Sequence, residues 1–211
     1  MDDVRQLLAG NVRFQREVFQ PQQTRFLALA RAQAPRVLFI GCVDSRVPPE
    51  LITMAELGQM LVIRNVANLV PPAGSNESSV GAVIEFAINA FQIRDIIVCG
   101  HTGCGGIAAL VHRQGTFEDK SPLGQWLSHA KPILTHTPPP GRGSDNEILQ
   151  YYVEQNVILQ LSHLASYEGI AQAVEARALS LHGWVYHLDT GGLDIYDKHR
   201  QCFVPAAAYG V

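Results

Sequence analysis

Two short stretches hold the residues whose types and spacing could do chemistry. One is Cys42-Val43-Asp44-Ser45-Arg46. The other is His101-Thr102-Gly103-Cys104. Together they offer two thiolates, an imidazole and a carboxylate, a full tetrahedral set for a zinc ion. His101 and Cys104 lie three residues apart in a turn that contains glycine, so one metal can reach both. Cys42 and Asp44 are spaced i and i+2, which in extended backbone points them to the same face, and Arg46 continues that row. Arginine grips a carboxylate through two parallel hydrogen bonds. Asp44 therefore has two rival partners, the metal and Arg46. With all four groups on the metal the site is closed and inert. With Asp44 drawn off by Arg46, a coordination position opens and hydrolytic or hydration chemistry becomes available.

The elements that must position these groups are legible around them. Residues 36–41, 61–64 and 95–99 are short continuous apolar runs, the pattern of strands buried on both faces. Cys42 and His101 follow the first and third runs directly. Helical periodicity is read at 3–17, at 25–33, from an Asn76 or Ser78 cap to 91, and at 107–111. Residues 122–134 read as a helix and 137–141 as a proline-rich loop. A long helix capped by Asp145 or Asn146 runs to 166, and another spans 168–180. Residues 183–188 and 191–196 read as strand, turn and strand. Helices alternating with buried strands predict an α/β fold: four parallel strands plus an antiparallel edge strand, flanked by helices. Open α/β sheets bind ligands beyond the C-terminal strand ends, where both motifs lie.

Composition narrows the function. At 47% hydrophobic and 17% charged the chain reads as globular, and 211 residues suit one domain. That domain divides into an N-terminal helical arm (1–34), a zinc-site core (35–111) and a helical and edge-strand remainder (112–211). A net charge of −3 argues against a nucleic-acid partner. No apolar run reaches the roughly 18 residues of a membrane span, and the acidic start lacks a signal-peptide core. Four cysteines are too few for a disulfide scaffold in a chain this long, so metal use in a reducing cytoplasm is expected. Cys99 and Cys202 read as packing residues. His182 and His187 belong to a packed strand, and the other histidines outside the motif read as surface or hydrogen-bonded groups. A zinc that merely staples loops remains the bland alternative.

Three stretches in order resemble the β-class carbonic anhydrases, the bacterial branch above all: the 42–48 segment, Val62-Ile63-Arg64-Asn65-Val66-Ala67-Asn68-Leu69-Val70, and the 96–106 segment. The resemblance covers nearly the whole chain and is loose at 112–145. It implies one Zn2+ per subunit on Cys42, His101 and Cys104, with Asp44 as fourth ligand in the closed state. It implies an Asp44–Arg46 dyad in the open state and reversible hydration of carbon dioxide to bicarbonate by hydroxide on the metal. It also implies a carbon dioxide wall from Val66 and from Phe86 of a partner subunit, and a bicarbonate contact at the Gly105 N–H. No histidine is implied as a proton shuttle. The assembly implied is a homodimer with the N-terminal helices packed on the partner, extending to a tetramer or larger, without nucleic acid or membrane. A cytoplasmic place, such as a carbon-fixing compartment, fits.

Two departures qualify this. Glu56 stands where plant-like members carry a substrate-facing glutamine. Phe39 stands where some bacterial members have the tryptophan of a bicarbonate regulatory site, so that pocket is expected to be weak although Arg64 and Tyr186 match. Alternatives are a carbon disulfide or carbonyl sulfide hydrolase of the same fold, and a non-catalytic zinc-stapled assembly module.

Overall fold

The structure is a computed structural model and describes residues 2–116, 121–136, 138 and 143–209. It forms two compact units, Met1–Ala34 and Pro35–Val211. In the first, α1 (Asp3–Phe14) is capped by the Asp2 carboxylate, which accepts from the Val4 N–H. The chain stays helical through a wide turn at Gln15–Phe19 and a tight one at Gln20–Gln22, then enters α2 (Gln23–Arg31). Phe26 packs edge-on to Phe14 and against Phe19, with centroids 5.7 and 4.9 Å apart. Val4, Leu7, Leu8 and Val12 form an exposed apolar stripe on α1.

The second unit is built on a sheet. Four parallel strands, β1 (Val37–Cys42), β2 (Met60–Asn65), β3 (Asp95–His101) and β4 (Ser180–Tyr186), continue into antiparallel β5 (Leu193–Asp197) and β6 (Cys202–Pro205). The order is β2-β1-β3-β4-β5-β6. β1 and β3 lie inside and are covered on both faces, which is why they read as unbroken apolar runs. Leu38, Ile40, Ile96 and Val98 enter the larger core, while Phe39, Ile97 and Cys99 form a smaller one on the opposite face. The chain leaves β1 for β2 on one side and returns to β3 on the other. That reversal opens a crevice beyond the C-terminal ends of β1 and β3.

The helices in this unit are α3 (Pro49–Ile52), α4 (Ser79–Phe91), α5 (Gly105–His112), α6 (Pro122–Leu127), α7 (Asp145–Ala165) and α8 (Glu168–Glu175). Several expectations shift. The helix expected over 122–134 is α-helical only to Leu127, then tightens into a 3₁₀ stretch, Ser128–Thr135, which carries Pro132. α7 is capped by Ser144 rather than Asp145 or Asn146, because Ser144 and Glu147 make a reciprocal capping box. α8 stops at Glu175, and Arg177, at φ 56°, turns the chain into β4. β4 begins three residues earlier than expected, since Ser180 already pairs with Asp95. β6 was not foreseen: four residues ending in proline give little period to read. Its first residue, Cys202, is exposed and not a packing cysteine. The 137–141 loop lies, Pro138 apart, outside the described residues.

Four of the remaining histidines have side-chain partners or are partly buried. His182 and His187 pair with Asp95 and Asp194 at 2.8 and 2.9 Å. His163 Nδ1 donates to the Val70 carbonyl at 2.7 Å, and burial lowers its pKa despite that bond. Burial lowers His129 as well, helped by the nearby His163. A folded-state pKa below the unfolded value of about 6.5 means the unfolded chain binds more protons. Stability is therefore full above about pH 6.5 and falls as the pH drops below it. The expected result is a Tm that declines between pH 6.5 and 5, with a shallower decline in His163→Gln. An unchanged slope in that variant would remove His163 from the explanation.

Candidate metal centre

The crevice gathers the three soft donors foreseen from sequence. Cys42 ends β1 and His101 ends β3, so parallel pairing brings the two strand ends together. Cys104 is delivered by the turn that follows β3. Gly103 adopts φ 66° there, a conformation that glycine takes without steric cost, and Cys104 occupies the position just before α5. The ligand atoms of Cys42, His101 and Cys104 lie within 4.8 Å of one another, and all three residues are buried. No other cluster of this kind occurs among the described residues.

His101 shows which nitrogen is available. Its Nδ1 lies 3.0 Å from the Thr102 carbonyl, which can only accept, so the proton is placed on Nδ1. Nε2 is left with its lone pair, fully buried and without a hydrogen-bond partner among the described residues. A buried acceptor without a partner is costly unless something electropositive faces it. The thiols make the same point. A bond from the Cys104 thiol, with smaller help from the N–H groups of Asp44 and Ala67, holds Cys42 at about 4 against the pull of burial. Cys104 is pushed up by that bond, by burial and by the Cys42 charge, although the N–H groups of Ile107 and Gly106 favour its thiolate. The pair holds one negative charge by itself. A divalent cation among two thiols and a free imidazole nitrogen would let both sulfurs ionise.

Asp44 and Arg46 are adjacent, but not in the manner the spacing suggested. The chain turns after Cys42, with the Val47 N–H bonded to the Asp44 carbonyl at 3.1 Å, so residues 42, 44 and 46 form no extended row. The carboxylate caps that turn. Asp44 Oδ1 accepts from the Arg46 backbone N–H at 3.0 Å and from Nε at 2.9 Å, and Oδ2 accepts from Nη2 at 2.8 Å. These bonds, the Arg46 side chain's above all, hold the Asp44 carboxyl well below the usual carboxylate range against the opposing effect of burial. Asp44 Oδ2 also lies 3.9 Å from His101 Nε2, beside the three donors.

The sequence matches a known family over most of the chain. The carbonic anhydrase family profile matches residues 37–193. A carbonic anhydrase of Pseudomonas aeruginosa is 37% identical over 206 residues, which cover 98% of this chain and 93% of that protein. The chain belongs to the β-class carbonic anhydrases. The solved β-carbonic anhydrase CcaA superposes with a TM-score of 0.89 at 34% identity, covering 97% of this chain and 92% of that one. A structure described as one of two tetrameric β-carbonic anhydrases from Sordaria macrospora gives 0.78 at 26% identity, covering 97% and 100%.

Within this β-class chain the other expected site residues are spread. Val66 opens the turn after β2 and is half-buried. Gly105 is the first residue of α5, with open space about its α-carbon. Phe86 sits on α4, 54% exposed and edge-on to Phe91 at 5.2 Å. Arg64 was read only as part of a regulatory site. It donates to the Cys42 carbonyl at 3.0 Å and to the Asp44 carbonyl at 2.5 Å, so it also braces the loop between them. Phe39 is fully buried and packs edge-on to Trp184 at 6.3 Å. Sequence reading missed Asn156, Gln160 and Trp126, whose side chains reach the turn at Val66. Their polar atoms aimed at the core were the available signal, but nothing local says which backbone they meet.

Proposed function

We propose that this family member hydrates carbon dioxide reversibly, with a zinc ion held by Cys42, His101 and Cys104 and with Asp44 and Arg46 as a gate beside it. The observation that carries the reading is His101 Nε2: a buried lone pair without a partner, facing two thiol sulfurs within 4.8 Å. When bound, zinc supplies Lewis-acid chemistry that brings the ionisation of water from a pKa of about 15.7 to about 7.

The chain's own residues do the rest. Arg46 holds both oxygens of Asp44 and keeps the carboxylate ionised and off the metal. Asp44 keeps lone pairs free toward the crevice, so it accepts a hydrogen bond from the reacting oxygen and fixes where that oxygen's own lone pair points. Carbon dioxide is apolar and needs an apolar wall. Val66 supplies part of it, and Phe86, exposed on α4, is offered to a second copy of the chain. The Gly105 N–H, at the start of α5, favours a bicarbonate oxygen. The exposed stripe on α1 and the exposure of Phe86 support a dimer, and pairing of dimers would extend it. Fully buried Phe39 supports a weak bicarbonate regulatory site. Among the described residues no helix is long and apolar enough to cross a membrane.

A pH-indicator assay of carbon dioxide hydration, run beside metal analysis and a sulfide-release assay with carbonyl sulfide, tests the reading. Hydration proportional to bound zinc, with slower sulfide release, is expected. Faster sulfide release would move the protein to the hydrolases of this fold. No turnover of either substrate by zinc-loaded protein would leave only the stapled module.

A further inference from the structure

The turn Val66–Asn68 lies between the end of β1, which carries Cys42, and the start of α5, which follows Cys104. It follows β2 directly, and Asn65, the last residue of β2, is in register with Cys42. On its other side Gly106 lets α5 approach: a Cβ there would stand 2.9 Å from Val66 Cγ1 and 3.1 Å from Ala67 Cβ. The backbone of this turn is unfavourable by itself. Ala67 and Asn68 have φ of 63° and 49°, the left-handed region, and neither is glycine. Such residues persist only where their surroundings over-determine them.

Those surroundings come from far along the chain. Asn156 Nδ2, on α7, donates to the Ala67 carbonyl at 3.0 Å. One helical turn later, Gln160 Nε2 donates to Asn156 Oδ1 at 2.9 Å, and Gln160 Oε1 accepts from the Val70 N–H at 2.8 Å. Both amides are 0% exposed. Trp126 Nε1 adds a bond to the Val66 carbonyl at 2.8 Å. Burying two amides on a helix costs more than burying two leucines unless every polar atom is used. Here those atoms are spent on one strained turn. The turn is also tied to the metal-site strand, because the Val43 N–H, just after Cys42, donates to the carbonyl of Asn65 at 2.8 Å. Partners of this kind orient metal ligands and tune them.

We infer that Asn156 and Gln160 are positioning residues of the metal centre. They hold the Val66–Asn68 turn in place between the strand end that carries Cys42 and the helix that follows Cys104, and so fix the spacing of the two thiols. The inference rests on Cys42, His101 and Cys104 being metal ligands.

The test uses the full-length protein exchanged with cobalt(II), which reports sulfur ligation through a sulfur-to-metal charge-transfer absorption. In Asn156→Asp the carboxylate cannot donate to the Ala67 carbonyl. That variant is expected to shift the absorption and to release metal to a chelator about 10- to 100-fold faster. Gln160→Glu keeps the acceptor for Val70 and loses only the donor to Asn156. It is expected to change both readouts in the same direction by less, and it carries the test if Asn156→Asp does not fold. Leu181→Ala truncates the core near the start of β4, away from the turn, and should leave both readouts as in the native protein. Folded Asn156 or Gln160 variants with native absorption and release would overturn the inference. So would equal changes in Leu181→Ala. Absence of sulfur-to-cobalt absorption in the native protein would overturn the metal reading itself and take this inference with it.

Discussion

Arg46→Ala is expected to lose carbon dioxide hydration by about 100-fold or more while keeping its metal and its fold. The guanidinium makes both side-chain bonds that hold the Asp44 carboxylate, at 2.9 and 2.8 Å. Without it Asp44 retains the Arg46 backbone N–H at 3.0 Å on one oxygen only. The other oxygen, already 3.9 Å from His101 Nε2, is then free to complete the metal's coordination and close the site. Magnitudes separate this from simple destabilisation. Arg46 is 59% exposed, and pairs that exposed contribute little to folding. A 100-fold loss of rate corresponds to about 2.7 kcal/mol of barrier. Metal content, thermal unfolding and hydration rate measured on one preparation decide it. Near-native hydration would end the idea of Asp44 as a gate, and loss of metal would make Arg46 a structural partner instead.

Cys42→Ser should have the larger effect still: metal lost on gel filtration and hydration at background. The hydroxyl is nearly isosteric, so the core around β1 survives and circular dichroism should show a folded protein. A serine hydroxyl does not ionise as the Cys42 thiol does, which the Cys104 donor holds at about 4. One hard oxygen in place of a thiolate weakens a zinc site that relies on soft donors. A variant that kept one zinc per chain and half its activity would refute the assignment of Cys42 as ligand.

The sheet and the donors were legible for a simple reason. Strands buried on both faces read as unbroken apolar runs, so β1 and β3 could be found within a residue or two of their ends; β2, expected to be buried likewise, is a half-buried edge strand whose apolar run still marked it. Cys42 and His101 could then be placed at the C-terminal edge. β6 could not, because an edge strand of four residues carries too little period. α4 starts after Ser78, one of the two caps expected, whereas the cap of α7 was misjudged for a local reason: several polar residues stand in a row there, and only hydrogen-bond geometry selects among them. Cys202 was read as packing because composition does not reveal which side of an edge a cysteine faces.

By itself the sequence determined the donor set: two thiols, one imidazole and one carboxylate with an arginine two residues away. Residue chemistry does not depend on folding, and strand-end placement follows from local pattern. The tertiary structure decided how those donors are held. It made the 42–46 segment a turn and put both Asp44 oxygens on Arg46. It also brought Asn156, 89 residues further along the chain, onto the Ala67 carbonyl. The cause is long-range packing: a helix face and a loop meet only when α7 docks on the sheet, and no spacing within either segment encodes that contact.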